Sequence, residues 1–206
     1  MPHEYERYAL QLQYNGEWQF SGYDSYRVVL LIKYSRTQSC TKPGKNDSMH
    51  TDRSEPAEVN HYRPEISELI TGSYQRLIGQ SMLACPDETE TGRMLYLAPF
   101  VVLAHDTAAD PVFFYANQMA QKLFEMTWDE MVRMPSRKSA EPVLRADRQK
   151  FLDRVAVHGF IDNYSGIRVS RSGRRFFIQR ATVWNLINLH GVCRGQAAAF
   201  NSWSAV

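Results

Sequence analysis

The sequence predicts an α+β domain: a five-stranded antiparallel sheet with helices on one face and an N-terminal flanking helix. Its clearest signal is a three-strand meander over 164–203, where two tight turns connect segments rich in aromatic and β-branched residues. Two shorter apolar segments precede the meander, and amphipathic helix patterns lie on either side of them. Two strands paired with a meander, and helices gathered beside them, indicate the α+β class.

The first 63 residues are predicted to be an extension followed by a disordered linker. A strong hairpin signal lies at Asn15-Gly16, but three short strands alone would make only a marginal sheet. From Ser35 to Arg63 the chain is polar, a composition typical of disorder. A further hypothesis is that 1–48 is upstream sequence and that translation begins at Met49. The domain proper is predicted over 64–206.

The flanking helix is predicted over 64–82, with Pro64 at the first helical position, where proline is favoured. Ile66, Leu69 and Ile70 begin an apolar stripe that continues at spacings of three and four as far as Met82. This stripe is suited to cover one face of the sheet.

Two strands are predicted next, over 95–104 (LYLAPFVVLA) and 112–115, with the turn HDTAADP between them. Asn117 is predicted to cap the following helix. Thr127 and Glu130 have the spacing of a capping box for another short helix.

A longer helix is predicted to begin at Pro142 and to end at Gly159 in a left-handed conformation. The meander then turns at Ser172-Gly173 and at His190-Gly191, where a hairpin needs positive φ.

The middle strand of the meander is apolar on both sides near its start. Phe176 and Ile178 are predicted to face one way, and Phe177, Ala181 and Val183 the other. An antiparallel sheet with one wet face would alternate apolar and polar residues, so both faces are expected to be covered. The cover comes either from helices of the same chain or, on one face, from a second copy.

The composition excludes several classes of protein. A net charge of +2 is too mild to indicate nucleic acid or an anionic membrane as a partner. Three cysteines without metal-ligand spacing favour free thiols in a reducing compartment. No signal-peptide pattern occurs, and the longest apolar run is far shorter than the about 20 residues that span a bilayer. We therefore expect a soluble, cytoplasmic protein.

Several motifs follow one another along the chain. They are PFVVLAHD, PVFFYAN, the PSR of Pro135-Ser136-Arg137, the YSGIR of Tyr164 to Arg168, SGRRF, VWNL and GQAAAF. In this order they resemble the motif set of the MEKHLA domain, over roughly 64–203. The segments YANQMAQKLFEMTWDEM and GIRVSRSGRRFFIQRATVW are also similar to the Asn-started helix and the paired strands of PAS domains.

The resemblance implies a PAS-related fold. MEKHLA domains occur alone in bacteria and photosynthetic organisms, and at the C-terminus of plant class III homeodomain–leucine-zipper transcription factors. There they are thought to sense a chemical, light or redox signal and to affect dimerisation. The resemblance implies no catalytic residue and no cofactor. Because this chain lacks the homeodomain and the zipper, regulation of DNA is not implied either.

Three residues invite a catalytic interpretation, and each has a simpler one. His105 with Asp106 and Asp110 matches no metal signature, so a hydrogen-bonded histidine at a strand end is predicted. Ser136 has no GxSxG elbow around it and is predicted to cap backbone groups. Cys193 lies in a strand, unlike the cysteine that forms a flavin adduct in the light-sensing PAS type. No catalytic residue and no metal site are therefore predicted.

Arginines are concentrated in the meander, and two interpretations remain open. They are either solvated charges that discourage edge-to-edge pairing of strands, or a site for an anion or an acidic partner. The candidates for such contacts are Arg137, Arg168 and Arg175. Nucleic acid is not expected, because binding it would need exposed aromatic residues between these charges, and the adjacent Phe176 and Phe177 are only a weak signal of that kind.

A ligand cavity is expected between the inner face of the sheet and the helices. Ile167, Val169, Ala181 and Val183 are predicted on that face, with Leu123 and Phe124 closing over them. The residues predicted to orient a small organic ligand are Tyr115, Asn117, Trp128, Tyr164, Trp184 and Gln196. The cofactor is unknown, since neither flavin nor haem is indicated by the sequence. A colourless planar metabolite is the expected ligand, because the predicted walls of the cavity are mainly apolar.

The predicted function is a non-enzymatic sensory or regulatory module that binds a small molecule or a protein partner. A homodimer is predicted, with the stripe of the flanking helix shared between the sheet and the partner. One alternative is a small hydrolase or isomerase that uses His105, which an open cavity containing His105 and a second titratable group would favour. The other is a ligand-free interaction domain with a filled interior.

Overall fold

The computed structural model describes residues 52–84, 87–140, 151, 153 and 155–206. The predicted hairpin at Asn15-Gly16, the proposed start at Met49 and most of the helix predicted from Pro142 lie outside these residues. Helical residues at 151, 153 and 155–158 precede Gly159, whose φ of +89° agrees with the predicted left-handed end.

A six-stranded antiparallel sheet is the framework of the domain. Its strands are β1 (Val101–His105), β2 (Phe113–Ala116), β3 (Phe160–Val169), β4 (Arg175–Ile187), β5 (Cys193–Phe200) and β6 (Ser202–Ala205). The strand order is β2-β1-β5-β4-β3, and β6 also pairs with β4. The predicted third strand of the meander divides near Asn201, and β6 continues on β4 in the register that β5 sets. This division accounts for the sixth strand, which was not predicted.

Besides the helical residues before Gly159, the described residues contain four short to medium helices. They are α1 (Pro64–Ile78), α2 (Thr91–Tyr96), α3 (Gln118–Phe124) and α4 (Trp128–Met131). Single 3₁₀ turns lie at Glu58–Asn60, Glu88–Glu90 and Ser136–Ser139. Pro64 begins α1 as predicted, and Gly79 ends it at a φ of +78°. None of the helices in this part of the chain has the length and apolarity to cross a membrane.

The first half of the strand predicted over 95–104 is a helix instead. Leu95 and Tyr96 end α2, and β1 starts only at Val101. Pro99 lies between the two elements and has no N–H group with which to continue a helix or a sheet. An apolar run alone could not distinguish a buried helix end from a strand.

The sheet is covered on both faces by its own chain. On the face we call outer, Ile70 of α1 and Leu95 of α2 lie in one buried cluster with Trp184. On the face we call inner, Phe124 of α3 packs edge-on against Phe176, with ring centroids 5.1 Å apart. Helices of the same chain therefore cover both of these clusters, whereas Phe177, on the outer face at the start of β4, belongs to neither cluster.

Helix α1 is tied to the end of β4 by a reciprocal pair of hydrogen bonds. The Ser73 hydroxyl donates to the Ile187 carbonyl, and it accepts from the Ile187 N–H, both at 2.9 Å. Ser73 is fully buried at this contact. The helix and the strand therefore meet at a fixed point.

A bulge between β3 and β4 changes which side chains share a face. Asn163 and Arg180 have φ values of +59° and +51°, and the pairing register shifts beside them. The extra residue inverts the alternation of side chains along β4. Ala181 and Val183 consequently share the inner face with Phe176 and Ile178, and the prediction that they share a face with Phe177 is wrong.

The same register places two residues of β3 on the other face from the one predicted. Ile167 pairs with Phe177, and Val169 pairs with Arg175, all on the outer side of the sheet. Paired residues of antiparallel strands share a face, so the predicted inner position of Ile167 and Val169 is wrong.

Residues 52–63 pack against the domain, which corrects the prediction of a linker for this stretch. Arg63 is 4% exposed and donates to the carbonyls of Asp52 and Ser54 at 3.1 Å. Arg53 donates to the Val132 carbonyl at 2.9 Å, and the Trp128 indole donates to the Arg53 carbonyl at 2.7 Å. Polar composition did not reveal the contacts of Arg53, because they join residues 75 and 79 positions apart in the sequence.

Candidate functional site

A cavity of about 50 Å³ lies between the inner face of the sheet and the helical side of the domain. Its walls are mainly apolar: Leu103, Phe113, Phe124, Phe151, Ile178, Ala181, Val183, Ala197, Ala198 and Phe200. Five residues bring polar side chains: His105, Ser139, Tyr164, Arg168 and Gln196. Because one water needs about 10–15 Å³ of such space, the cavity has room for about four waters or one compact ligand.

Small residues in the central strands create this space. Ala198 of β5 lies between its register partners Leu103 and Val183, and all three line the cavity. In β3, a Cβ on Gly166 would come within 2.8 Å of the Tyr164 hydroxyl oxygen. The absence of a side chain at Gly166 therefore leaves room for the Tyr164 hydroxyl.

Tyr164 and Arg168 form one polar end of the cavity. Arg168 Nη2 donates to the Tyr164 hydroxyl at 2.9 Å, and Nη1 donates to the Ile167 carbonyl at 2.8 Å. The guanidinium also lies 5.2 Å from the centre of the Tyr164 ring, and the Phe151 ring lies 4.1 Å from the same ring. Tyr164 is thereby held by contacts with both residues, and its polar edge is turned toward Arg168.

His105 and Gln196 form a second polar group, on the neighbouring strands β1 and β5, where they are register partners. His105 Nδ1 lies 2.9 Å from the Asp106 carbonyl oxygen, and since a carbonyl can only accept, Nδ1 is the donor. The prediction of a hydrogen-bonded histidine at a strand end is confirmed. Gln196 Nε2 donates to Asn185 Oδ1 at 3.1 Å.

Asn185 connects this polar group to the helical residues before Gly159. Its Nδ2 donates to the Val155 carbonyl at 3.1 Å, while Oδ1 accepts from Gln196. Asn185 is 2% exposed, so these bonds are shielded from water. Sequence reasoning missed this residue, although a polar side chain among the apolar residues of VWNLI is a visible signal of a buried hydrogen-bond partner.

Tyr164 and Gln196 are the two predicted ligand-orienting residues that line the cavity. Tyr115, Trp128 and Trp184 belong to the buried cluster of the outer side. Tyr115 pairs with Ala104, whose neighbours Leu103 and His105 point into the cavity, so Tyr115 points away from it. Burial raises the pKa of the Tyr115 hydroxyl well above its ordinary value.

Asn117 caps α3 as predicted, and the hydrogen bonds of its side chain are made with backbone groups. Oδ1 accepts from the N–H groups of Val102 and Ala120 at 3.0 Å, and Nδ2 donates to the Phe100 carbonyl at 2.7 Å. The residue is fully buried and does not line the cavity.

The three candidate arginines lie in different surroundings. Arg137 Nε donates to Asp110 at 2.8 Å, and this contact raises the pKa of the guanidinium. Arg175 is exposed at the start of β4. Arg168 is the one that lines the cavity. Sequence reasoning singled out these arginines by type, but which of Arg168 and Arg175 faces the cavity depends on the register of β3 and β4.

Several solved structures are similar to part of this chain. A PAS domain from Colwellia psychrerythraea has 8% identity and a TM-score of 0.48, covering 57% of this chain and 94% of that one. An RNA-binding light-oxygen-voltage receptor has 16% identity and a TM-score of 0.47, covering 59% of this chain and 34% of that one. The light-state dimer of the fungal blue-light photoreceptor Vivid has 14% identity and a TM-score of 0.41, covering 50% and 76%. At these values the similarity says nothing about what this chain binds.

The sequence itself matches a family model. No curated protein matches the chain. The model described as the MEKHLA domain matches residues 64–205, which include the whole part of the chain in which the motifs were found. The predicted resemblance, and with it the PAS-like α+β fold, is confirmed. Because this match covers more than half of the sequence, the chain belongs to the MEKHLA domain family.

Proposed function

We propose that this chain is a non-enzymatic sensory or regulatory module that binds a small organic molecule in the inner-face cavity. The observation that carries the proposal is a mainly apolar cavity with its polar groups gathered at Tyr164 and Arg168 and at His105 and Gln196. Such a distribution is typical of ligand sites, in which apolar walls supply affinity and a few polar groups fix orientation. Membership of a PAS-related family supports the sensory part of the proposal.

Strand β4 offers a route from the cavity to α1. Ala181 and Val183 line the cavity on the inner face, while Trp184 on the outer face packs against Tyr74 of α1 at 5.1 Å between ring centroids. Three residues farther along, Ile187 is hydrogen-bonded to Ser73. A ligand that shifts β4 would therefore move a contact of α1, which we propose as the output element.

The test is a thermal-shift screen of small metabolites on the full chain, with a cavity-filling variant as control. Ala198→Leu adds a side chain between Leu103 and Val183, where the space lies. A true ligand raises the melting temperature of the wild type, because it stabilises the state that binds it, and leaves the variant unshifted. A shift that persists in a folded Ala198→Leu protein would place binding elsewhere. A dry cavity that no compound enters would favour the ligand-free interaction domain.

A hydrolase or isomerase remains the second candidate, because His105 lines the cavity together with Tyr164. Two observations weigh against it. The Ser139 hydroxyl, a candidate nucleophile, donates to the Ser136 carbonyl at 2.7 Å. No Asp, Glu or Cys of the described ranges lines the cavity. Turnover of chromogenic ester substrates by the wild type, lost in His105→Gln, would establish the enzyme and overturn the non-enzymatic proposal.

We also propose a cytoplasmic location and a homodimer. The location is supported by the three cysteines of the sequence, which lack metal-ligand spacing, a pattern that favours a reducing compartment. The homodimer is supported by an apolar part of the outer sheet face, at Ile167 and Phe177, which lies outside the buried clusters.

A further inference from the structure

Arg168 brings a positive charge to the cavity wall. The described residues place no carboxylate within ion-pair distance of its guanidinium, whose contacts are the Ile167 carbonyl and the hydroxyl and ring of Tyr164. Its side chain is half-buried, next to the apolar residues of the wall. A charge in such surroundings favours a partner of opposite sign, because the Coulomb attraction is stronger there than in water.

Arg168 and Tyr164 also have unused hydrogen-bond donors. Of the N–H groups of the guanidinium, one is directed to Ile167 and one to Tyr164. Because the Tyr164 oxygen accepts from Arg168, its own proton can be donated, and the described residues offer it no acceptor. Adjacent N–H and O–H donors match the two oxygens of a carboxylate.

The size and the walls of the cavity restrict the rest of the guest. About 50 Å³ admits a carboxylate and a few further carbon atoms, but neither a flavin nor a haem. The apolar part of the walls includes Ile178, Ala181 and Val183 of β4 and Phe200. Phosphate or a dicarboxylate would leave a second charge against these apolar side chains, which is costly.

We propose that the cavity binds a short-chain monocarboxylate. The carboxylate lies against the donors of Arg168 and Tyr164, and the alkyl chain lies along Ala181 and Val183. This inference rests on the proposed ligand-binding function and specifies the chemical class of its ligand.

The test is isothermal titration of the full chain with butyrate and with butyramide, its neutral analogue of nearly equal shape. Butyrate is expected to bind at least tenfold more tightly than butyramide. Arg168→Gln should weaken butyrate binding at least tenfold, Arg168→Lys should restore part of it, and Tyr164→Phe should weaken it to a smaller extent. Arg133→Gln is the control, since it removes an exposed arginine that does not line the cavity, and it should leave binding unchanged.

The outcomes separate this inference from the function on which it rests. Equal affinity for butyrate and butyramide, or full affinity in Arg168→Gln, would overturn the monocarboxylate and leave a neutral ligand in the same cavity. Binding of uncharged metabolites without any binding of butyrate would also overturn the monocarboxylate and retain a neutral ligand. If neither class of compound binds, the proposed function fails as well. The comparison of the two ligands on the wild type decides the question even if Arg168→Gln does not fold.

Discussion

Asn117 joins three separate stretches of backbone through one side chain. It bonds Val102 in β1, Ala120 in α3 and Phe100 between α2 and β1. Asn117→Ala removes a helix cap and leaves buried backbone groups unpaired, so we expect a loss of about 2–4 kcal/mol in the free energy of unfolding. Urea denaturation of the two proteins measures this loss.

The control for Asn117 is Asn201→Ala, which truncates an exposed asparagine between β5 and β6 and should change the stability by less than about 0.5 kcal/mol. An equally small change in Asn117→Ala would contradict the role as a hub of hydrogen bonds. Since Asn117 does not line the cavity, its substitution is expected to lower stability without a selective loss of ligand affinity.

The contrast between Asn117 and Trp184 shows what sequence can predict about single residues. The cap at Asn117 depends on residues within one helical turn, so local reasoning finds it. The face occupied by Trp184 depends on the bulge at Arg180, where a residue that is neither Gly nor Asn adopts a positive φ. No local signal marks that bulge, so residues on either side of it, such as Phe177 and Ala181, are wrongly predicted to share a face. The sequence predicted that apolar walls with a few polar residues would line the cavity. It did not predict which of the candidate residues would face the cavity.

At the scale of an element, the turn between β3 and β4 has the backbone that its sequence predicts. Gly173 has a φ of +84°, and no atom lies within 4 Å of a Cβ built on it. Gly173→Val therefore meets no steric obstacle from its surroundings, and its cost is that of the backbone conformation, about 1–3 kcal/mol. Thermal unfolding measures this cost. Gly173→Asn should cost less, because asparagine tolerates the left-handed region, and equal melting temperatures for Val and Asn would contradict the explanation.

The same turn is attached to α3 by Glu125. The Glu125 carboxylate accepts from the hydroxyls of Ser172 and Ser170 and pairs with Arg174 Nε at 3.1 Å. The hydrogen bonds from Ser172 and Ser170 hold the pKa of Glu125 below its usual value. Its stabilising contribution is therefore present above the ordinary carboxyl pKa and is lost as the pH falls through the lowered value.

Comparison of the wild type with Glu125→Gln at neutral and acidic pH tests this attachment. The wild type should melt at the higher temperature near pH 7, and the difference should shrink below about pH 4 as the carboxylate is protonated. Glu68→Gln, which changes an exposed glutamate on α1, is the control and should show little difference at either pH. A difference between Glu125→Gln and wild type that is the same at both pH values would contradict a role of the charge.

At the scale of the whole molecule, the region before α1 was the hardest to predict. Its composition is that of a linker, yet Arg63 is buried and Glu55 receives hydrogen bonds from Tyr96 and Gln121. These contacts join residues up to 66 positions apart, and no local pattern encodes them. Most of the strands and α1 were predictable because their apolar periodicity reflects the core, whereas the attachment of 52–63 depends on individual polar contacts.

We expect the chain to form a homodimer through the outer face of the sheet. The apolar stripe of α1 is largely used by its own sheet, since Ile66 and Ile70 are 3% and 0% exposed. The part of the outer face near the β3–β4 turn carries Ile167 beside Phe177, and neither residue belongs to a buried cluster. A second copy can place the same patch against this one in a two-fold arrangement.

The dimer is tested by light scattering over a range of protein concentrations. Phe177→Glu introduces a charge at the centre of the proposed contact and should raise the dissociation constant at least tenfold, because a charge buried in an apolar contact is not compensated. Leu189→Glu, at an exposed leucine in the β4–β5 turn, is the matched control and should leave the mass unchanged. A monomer mass that stays constant up to high micromolar protein would contradict the dimer. A dimer unaffected by Phe177→Glu would place the contact on another surface.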